Sequence, residues 1–454
     1  MRDRTKLLIW LYLILLYFEG ALRKWVFPGA ADALLIVRDP VVVLIYALAL
    51  GSNRLPWNGF MAAIAGLAAA SFLGSFAAGQ NNVAVTLYGL RINYLHLPLI
   101  WVLATVLDRR DVERMGTFTL LTAIPMAVLM VEQFRSPMNA PINRGVGGDE
   151  LGQIFGADGR IRPPGFFAFI TGPQLFLPLA AAFFIHQASA RRHLPWLVLL
   201  GAGAAVGISL PVSISRTAML ATGLVAAAFV LSVMLSSRRD ARVFRLLIAG
   251  GILTVGLSAL PAFEEGRAVF QQRWETAAVS TGGDAWGNVY TRIFGGLGQP
   301  FRALLHAAPF GAGVGVGSNV GARLLAGRMG FLLAEDEWTK VILELGPVLG
   351  ALFIAFRITL TVWLGRVALL ALRRDGEALP LLIFSATGTA LLLYQWAPPT
   401  LLGFAVVGGG LVLAAAKPDR EARPPAPMAR APLPEPVPRA TEHRPPVQAK
   451  PRLV

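Results

Sequence analysis

Two carboxylates, Glu335 and Glu337, flank Asp336 at the end of a long polar stretch, directly ahead of Trp338 and an apolar run. Acids placed at the mouth of an apolar helix are candidates for taking a proton from an attacking hydroxyl. Lys340 and Glu344 follow Glu337 at helical spacing, which puts all three on one helix face. Glu344 falls nearly two turns into the apolar run. An ionisable group at that depth is costly and turns toward a bundle interior or a wet cavity. The structural alternative is a Lys340–Glu344 salt bridge that only fastens helices. Three adjacent acids are a weak signal for a divalent cation, and no metal is expected.

The cations suit an anion. Arg216 lies in Ser213-Ile214-Ser215-Arg216-Thr217, where a loop enters a helix with Ser215 as N-cap. A guanidinium there adds its planar fork to the partial positive charge of a helix N-terminus, and both favour phosphate. The plain alternative is an interfacial arginine snorkelling to headgroups. Arg160 and Arg162 precede Pro163-Pro164-Gly165, whose stiffness would hold them at one depth. Arg91 and His96 flank one end of a span. Arg323 and His306 belong to the polar stretch, roughly 263–338, together with Arg267, Arg273, Arg292, Arg302 and Arg328. Glu19, Arg23, Lys24, Arg38 and Asp39 form a second ionisable group, whose opposite signs allow either mutual pairing or one wall of a phosphate site. The run Gly311-Ala312-Gly313-Val314-Gly315-Val316-Gly317 has no strand–loop–helix unit around it, so it is read as a close-packed loop and not as a nucleotide site.

Membrane helices must position these groups. The 454 residues have a mean hydropathy of +0.59 and only 15% charged side chains, and apolar runs near the length needed to cross hydrocarbon recur throughout. They are apolar all round and do not alternate, which favours helices over a β-barrel. The expected fold is an all-α bundle of about twelve spans, near 6–22, 31–50, 58–78, 92–107, 114–132, 166–188, 195–212, 217–236, 246–262, 339–363, 378–396 and 399–416. The second span contains Arg38, Asp39 and Pro40, so it starts late or the region after Glu19 is broken. A net charge of +15 would suggest nucleic acid in a soluble protein. Here the bases concentrate in short loops around Arg2/Arg4/Lys6, Arg109/Arg110/Arg114, Arg191/Arg192, Arg238/Arg239/Arg242/Arg245 and Arg373/Arg374. The positive-inside rule makes that side cytoplasmic, along with both termini. Residues near 133–165 and the long stretch between the ninth and tenth spans then lie outside. The absence of cysteine removes disulfides and thiolate metal sites. From Lys417 the composition turns Pro-rich and is expected to form a disordered cytoplasmic tail.

Four short stretches resemble the bacterial O-antigen ligase and O-antigen polymerase superfamily: Glu19-Gly20-Ala21-Leu22-Arg23-Lys24-Trp25, Arg162-Pro163-Pro164-Gly165, Ser215-Arg216-Thr217-Ala218, and the glycine loop leading to Glu335-x-x-Trp338 and Glu344-x-Gly346. Their order and the polar stretch before the tenth span extend the resemblance over most of residues 7 to 416. It implies a metal-independent, inverting glycosyltransferase of the bacterial inner membrane. Such an enzyme takes a glycan from undecaprenyl pyrophosphate and joins it to another glycan or to lipid A–core. It works without a cofactor, among membrane lipids and polysaccharide-assembly proteins. The resemblance also implies that Arg216 holds the pyrophosphate, with Arg162 or an arginine of the long loop assisting. Ligases usually carry His-Asn before the aromatic residue that ends the long loop; Glu335-Asp336 stands there in this chain, which favours polymerase or a related exopolysaccharide enzyme. Two other readings stay open. One is a lipid-linked glycan transporter or flippase, which would carry a pseudo-repeat that the sequence does not display. The other is a non-catalytic component of an assembly complex.

Overall fold

Segments that are apolar on every side can satisfy their backbone groups only internally, and every regular element in the described residues is a helix. The computed structural model of the chain describes residues 2–53, 55–149, 160–189, 194–235, 298–328 and 330–418. The expected ninth span at 246–262, residues 263–297 with Arg267, Arg273 and Arg292, the basic loops at 191–192 and 238–245, and the tail from 419 onward lie outside these residues.

Twelve spans are expected; among the described residues, seven stretches are long and apolar enough to cross a membrane. These are Arg2–Val26, Pro28–Gly51, Gly59–Ala77, Val83–Val106, Arg109–Arg135, Arg216–Leu235 and Glu337–Asp375. Three shorter apolar helices, Trp196–Val212, Leu379–Leu392 and Pro399–Ala415, pack among them. In chain order the helices are α1 (Arg2–Ala21), α2 (Ala31–Leu34), α3 (Arg38–Gly51), α4 (Gly59–Ala77), α5 (Val83–Leu90), α6 (Leu99–Val106), α7 (Arg109–Arg135), α8 (Thr171–Ser189), α9 (Trp196–Val212), α10 (Arg216–Leu235), α11 (Gly298–His306), α12 (Asn319–Ala326), α13 (Glu337–Asp375), α14 (Leu379–Leu392) and α15 (Pro399–Ala415). The core is built where α14 and α15 pack together against α6, α8 and α13. The region after Glu19 is broken: α1 passes through a π-helical turn, Leu22–Val26, and a 3-10 turn, Pro28–Ala30, before α2 and α3.

One end of the bundle is fastened by bases. Arg2 and Lys6 reach Asp108 at 3.2 and 3.4 Å, and Lys6 also pairs with Asp111. Asp108 caps α7 in a reciprocal box with Asp111. Arg109 pairs with Glu377 ahead of α14, and Lys417 Nζ donates to Leu107 O at 3.0 Å. The N-terminus of α1 and the C-termini of α13 and α15 therefore meet at this end. A helix of 20 residues such as α1 is about 30 Å long, so the segment that follows α1 lies on the far side of the bundle.

The expected tenth span at 339–363 is corrected, because it straddles a reversal. Gly346 takes φ 80°, ψ 171°, and Pro347 follows. A straight helix would hold Glu337 and Arg357 about 30 Å apart, yet Arg357 Nη1 lies 2.5 Å from Glu337 Oε1. A Cβ on Gly350 would sit 2.8 Å from Ile342 Cα. Contacts centred on residues 346 and 347 mean that the half-helix 337–345 folds back along 347–375. Pro347 has no N–H for Leu343 O. The glycine loop supplies the missing donors: Ala312 N–H bonds Leu343 O at 2.8 Å and Gly313 N–H bonds Glu344 O at 2.9 Å. The described half of the polar stretch thus folds onto the helices. Its α11 lies on α13 and its α12 on α5. Between them, a Cβ on Gly89 would come within 2.5 Å of Gly315 N, so only glycine fits that crossing.

Candidate functional site

The far end of the bundle holds a cavity of about 1170 Å³. Its floor is the broken region after α1, which contributes Arg23, Asp32, Leu35 and Ile36. Its walls come from α12 (Asn319, Val320, Arg323, Leu324), from the residues leading into α13 (Phe331, Glu335, Asp336, Glu337) and from the link between α14 and α15 (Leu393, Tyr394, Gln395, Ala397, Pro398). The start of α8 adds Thr171 and Gln174, α5 adds Tyr88, and the residues between α7 and α8 add Val146, Ala168 and a further carboxylate, Asp149. Ile36, Phe169, Leu324, Phe331 and Leu393 are exposed apolar side chains of this lining. One cavity therefore carries carboxylates, guanidiniums and an open apolar rim.

The floor is held by a buried chain of charges. Arg23 donates from Nη1 to Glu19 at 3.2 Å and from Nε to Ala31 O at 2.9 Å. Glu19 also accepts from Arg38 Nε at 3.2 Å, and Arg38 reaches the Tyr12 hydroxyl at 3.4 Å. Tyr12 meets His96 Nδ1 at 2.9 Å, and His96 Nε2 lies 3.0 Å from Asp39. Asp39 takes two bonds from Arg91, at 2.5 and 3.0 Å, while Arg91 Nη2 donates to Leu35 O at 3.3 Å. Arg23 and Arg91 thus hold the two ends of the segment 31–35 that forms the floor. Of the alternatives for this group, mutual pairing is what the structure displays, and Arg23 is its member in the lining. Lys24 turns away to Gly165 O at 2.7 Å.

The opposite wall has its own buried group. Asp336 caps α13, accepting from Thr339 N–H at 2.8 Å. Glu337 is enclosed, 2.7 Å from Lys340 Nζ and 2.5 Å from Arg357 Nη1, with all three side chains 0% exposed. Arg357 also donates to the carbonyls of Leu391 and Tyr394, both at 2.8 Å, and stacks 3.9 Å from the Trp396 ring. It therefore ties the reversal of α13 to the α14–α15 link. Glu344 shares the face of Glu337 and Lys340 as expected, but it accepts from the Gly317 N–H at 2.7 Å, and Lys340 pairs with Glu337. Glu335 is exposed at the rim, where its backbone carbonyl accepts from Gln395 Nε2 at 2.5 Å. Burial pushes the Tyr394 phenol up to about 12, so it remains a neutral donor at the cavity wall.

Of the residues selected from sequence, Glu335, Glu337, Arg323 and Arg23 share the cavity. Glu19, Arg91, Lys340 and Glu344 stand behind its walls, and Arg91, Arg160, Arg162, Arg216 and His306 are not among its lining. Arg160 donates to the last carbonyls of α7, Phe134 O and Arg135 O, at 3.3 and 3.0 Å. His306 is exposed at the end of α11. Arg216 opens α10, half-buried, after Ile214 at φ 47°. Ser215 does cap that helix, accepting from Ala218 N–H at 3.2 Å, and α10 packs on α8 and α14. Sequence reasoning missed Arg357, Asp32 and Tyr394. Arg357 carried a usable signal, since a lone guanidinium inside an apolar helix needs a buried partner. No protein-family model matches the chain, and no curated protein matches it.

Proposed function

We propose that the cavity takes a polyisoprenyl-diphosphate-linked glycan and transfers that glycan to a sugar hydroxyl, as a polymerase of surface polysaccharide does. The observation that carries this reading is the presence of Glu335, Arg323 and an open apolar rim in one cavity. An amphiphile with an anionic junction needs those three surfaces together. In this reading the basic end is cytoplasmic, as the positive-inside rule favours, and the cavity opens on the outer face of a bacterial inner membrane. Undecaprenyl diphosphate is the lipid carrier this reading names, and a second lipid-linked glycan is its acceptor.

In the proposed step the acceptor oxygen attacks the anomeric carbon as the bond from that carbon to the diphosphate oxygen breaks. The electron pair leaves with the diphosphate, and the hydroxyl proton passes to the Glu335 carboxylate. Glu337 is enclosed between Lys340 and Arg357, with no exposed side-chain surface to offer an acceptor hydroxyl. Arg323 is the cation that meets the leaving group, with Arg23 behind it. This role passes from Arg216, which does not line the cavity. Each charge-assisted bond is worth about 1.5–3 kcal/mol, provided it tightens as charge develops.

The test is chain growth from synthetic polyprenyl-diphosphate oligosaccharide by the full protein in liposomes. Glu335→Gln should slow it about 100-fold, the low end for loss of a general base. Normal polymer from that variant would overturn the assignment. Movement of the lipid without new glycosidic bonds would favour a flippase.

A further inference from the structure

The two guanidiniums of the cavity are held in different ways. Arg23 is buried, bonded to Glu19 and Ala31 O, and Glu19 is itself shared with Arg38. Freeing it would strand several buried charges. Arg323 is exposed and donates from Nη1 to one oxygen of Asp32 at 3.0 Å. The side chains of that pair are 58% and 79% exposed. Their backbones are nonetheless fixed. Asp32 lies in the segment held by Arg23 and Arg91. Arg323 lies on α12, which Ser318 caps and which packs against α5. The pair can therefore open by side-chain rotation alone, without moving either wall.

We propose that Asp32 is an internal stand-in for the ligand's anion. It occupies Arg323 while the cavity is empty and yields it when a diphosphate arrives. This inference rests on the reading of the cavity as a diphosphate site. A carboxylate and a phosphate oxygen offer the same guanidinium fork the same partner. An exposed pair of this kind contributes at most about 1 kcal/mol, so a doubly charged headgroup displaces it readily. A neutral glycan cannot displace it, which makes Asp32 a specificity-determining residue: it sets a minimum negative charge for entry.

Binding of farnesyl diphosphate to the full protein in nanodiscs tests this. Asp32→Asn should tighten binding about fivefold, the ratio equivalent to about 1 kcal/mol. Arg323→Ala should weaken binding. Asp32→Asn added to Arg323→Ala should then produce no further change, because Asp32 acts through Arg323. Tightening that persists in the Arg323→Ala background would overturn the proposal, since Asp32 would then be only a repelling charge. Equal affinities for wild type and Asp32→Asn would overturn it too, while leaving the diphosphate site standing. If farnesyl diphosphate binds neither protein, the inference and the reading beneath it both fall.

Discussion

Of the arginine–carboxylate pairs that border the cavity, two differ most: Arg357–Glu337 on the wall side and Arg323–Asp32 between α12 and the floor. The first is closed to solvent, with 0% exposure on both side chains, and its arginine also serves the carbonyls of Leu391 and Tyr394. The second is open and shares one hydrogen bond. A charge that has lost its water must be satisfied by the protein at all times, so it becomes part of the frame. A charge still in water can exchange partners, so it is available to a ligand. Burial sorts chemically similar pairs into scaffold and site.

Breaking the closed pair gives the largest effect. Arg357→Ala leaves Glu337 with Lys340 as its remaining ion-pair partner, opens an enclosed space and frees the α14–α15 link; removal of one partner from a buried network costs up to about 3–5 kcal/mol. The variant should unfold at a markedly lower temperature in detergent. Arg357→Lys keeps the charge but not the fork that reaches Leu391 O, Tyr394 O and Glu337 together, so its loss should be intermediate. Should Arg357→Ala unfold like wild type, the distinction between the two pairs would be lost.

How far these roles could be read from sequence differs by level. The helices were legible because apolar runs must form them, and the broken region after Glu19 was legible from Arg38-Asp39-Pro40. The members of the floor cluster were visible, though not their pairing, which depends on how α1, α3 and the π-turn at Arg91–Leu95 meet. The reversal at Gly346 was not legible as such. A hydropathy window averages over Gly346-Pro347, and only Arg357 meeting Glu337 exposes the fold-back. Arg216 shows the converse. Its local reading was right, since Ser215 caps α10, yet a helix N-terminus says nothing about which cavity it faces.

A smaller effect sharpens the comparison by asking what holds α12, and with it Arg323, in place. If backbone packing does so, Gly89→Ala should matter, because its Cβ would meet Gly315 N and Val314 C at 2.5 Å, and neither can rotate aside. Overpacking of this kind costs about 1–3 kcal/mol. The comparison residue is Gly66, where a Cβ meets nothing within 4 Å. Gly66→Ala should be neutral or slightly stabilising, by about 0.5–1 kcal/mol for a helix interior. Equal melting temperatures for the two alanine variants would mean that the glycine loop yields, and that the Arg323–Asp32 pair has more to hold than its exposure suggests.

The smallest expected effect is on the open pair itself. Arg323→Ala removes one exposed hydrogen bond between side chains that solvent already reaches. Their Coulomb attraction is screened, and ordering two long side chains opposes it, so unfolding should shift by about 1 kcal/mol or less. The same substitution should nonetheless abolish most glycan transfer, because it removes the guanidinium proposed to meet the leaving group. A variant that folds as wild type does and fails to react is what an exchangeable charge predicts. If Arg323→Ala instead destabilised the protein as much as Arg357→Ala, Arg323 would belong to the frame, and solvent exposure would have misidentified the ligand's cation.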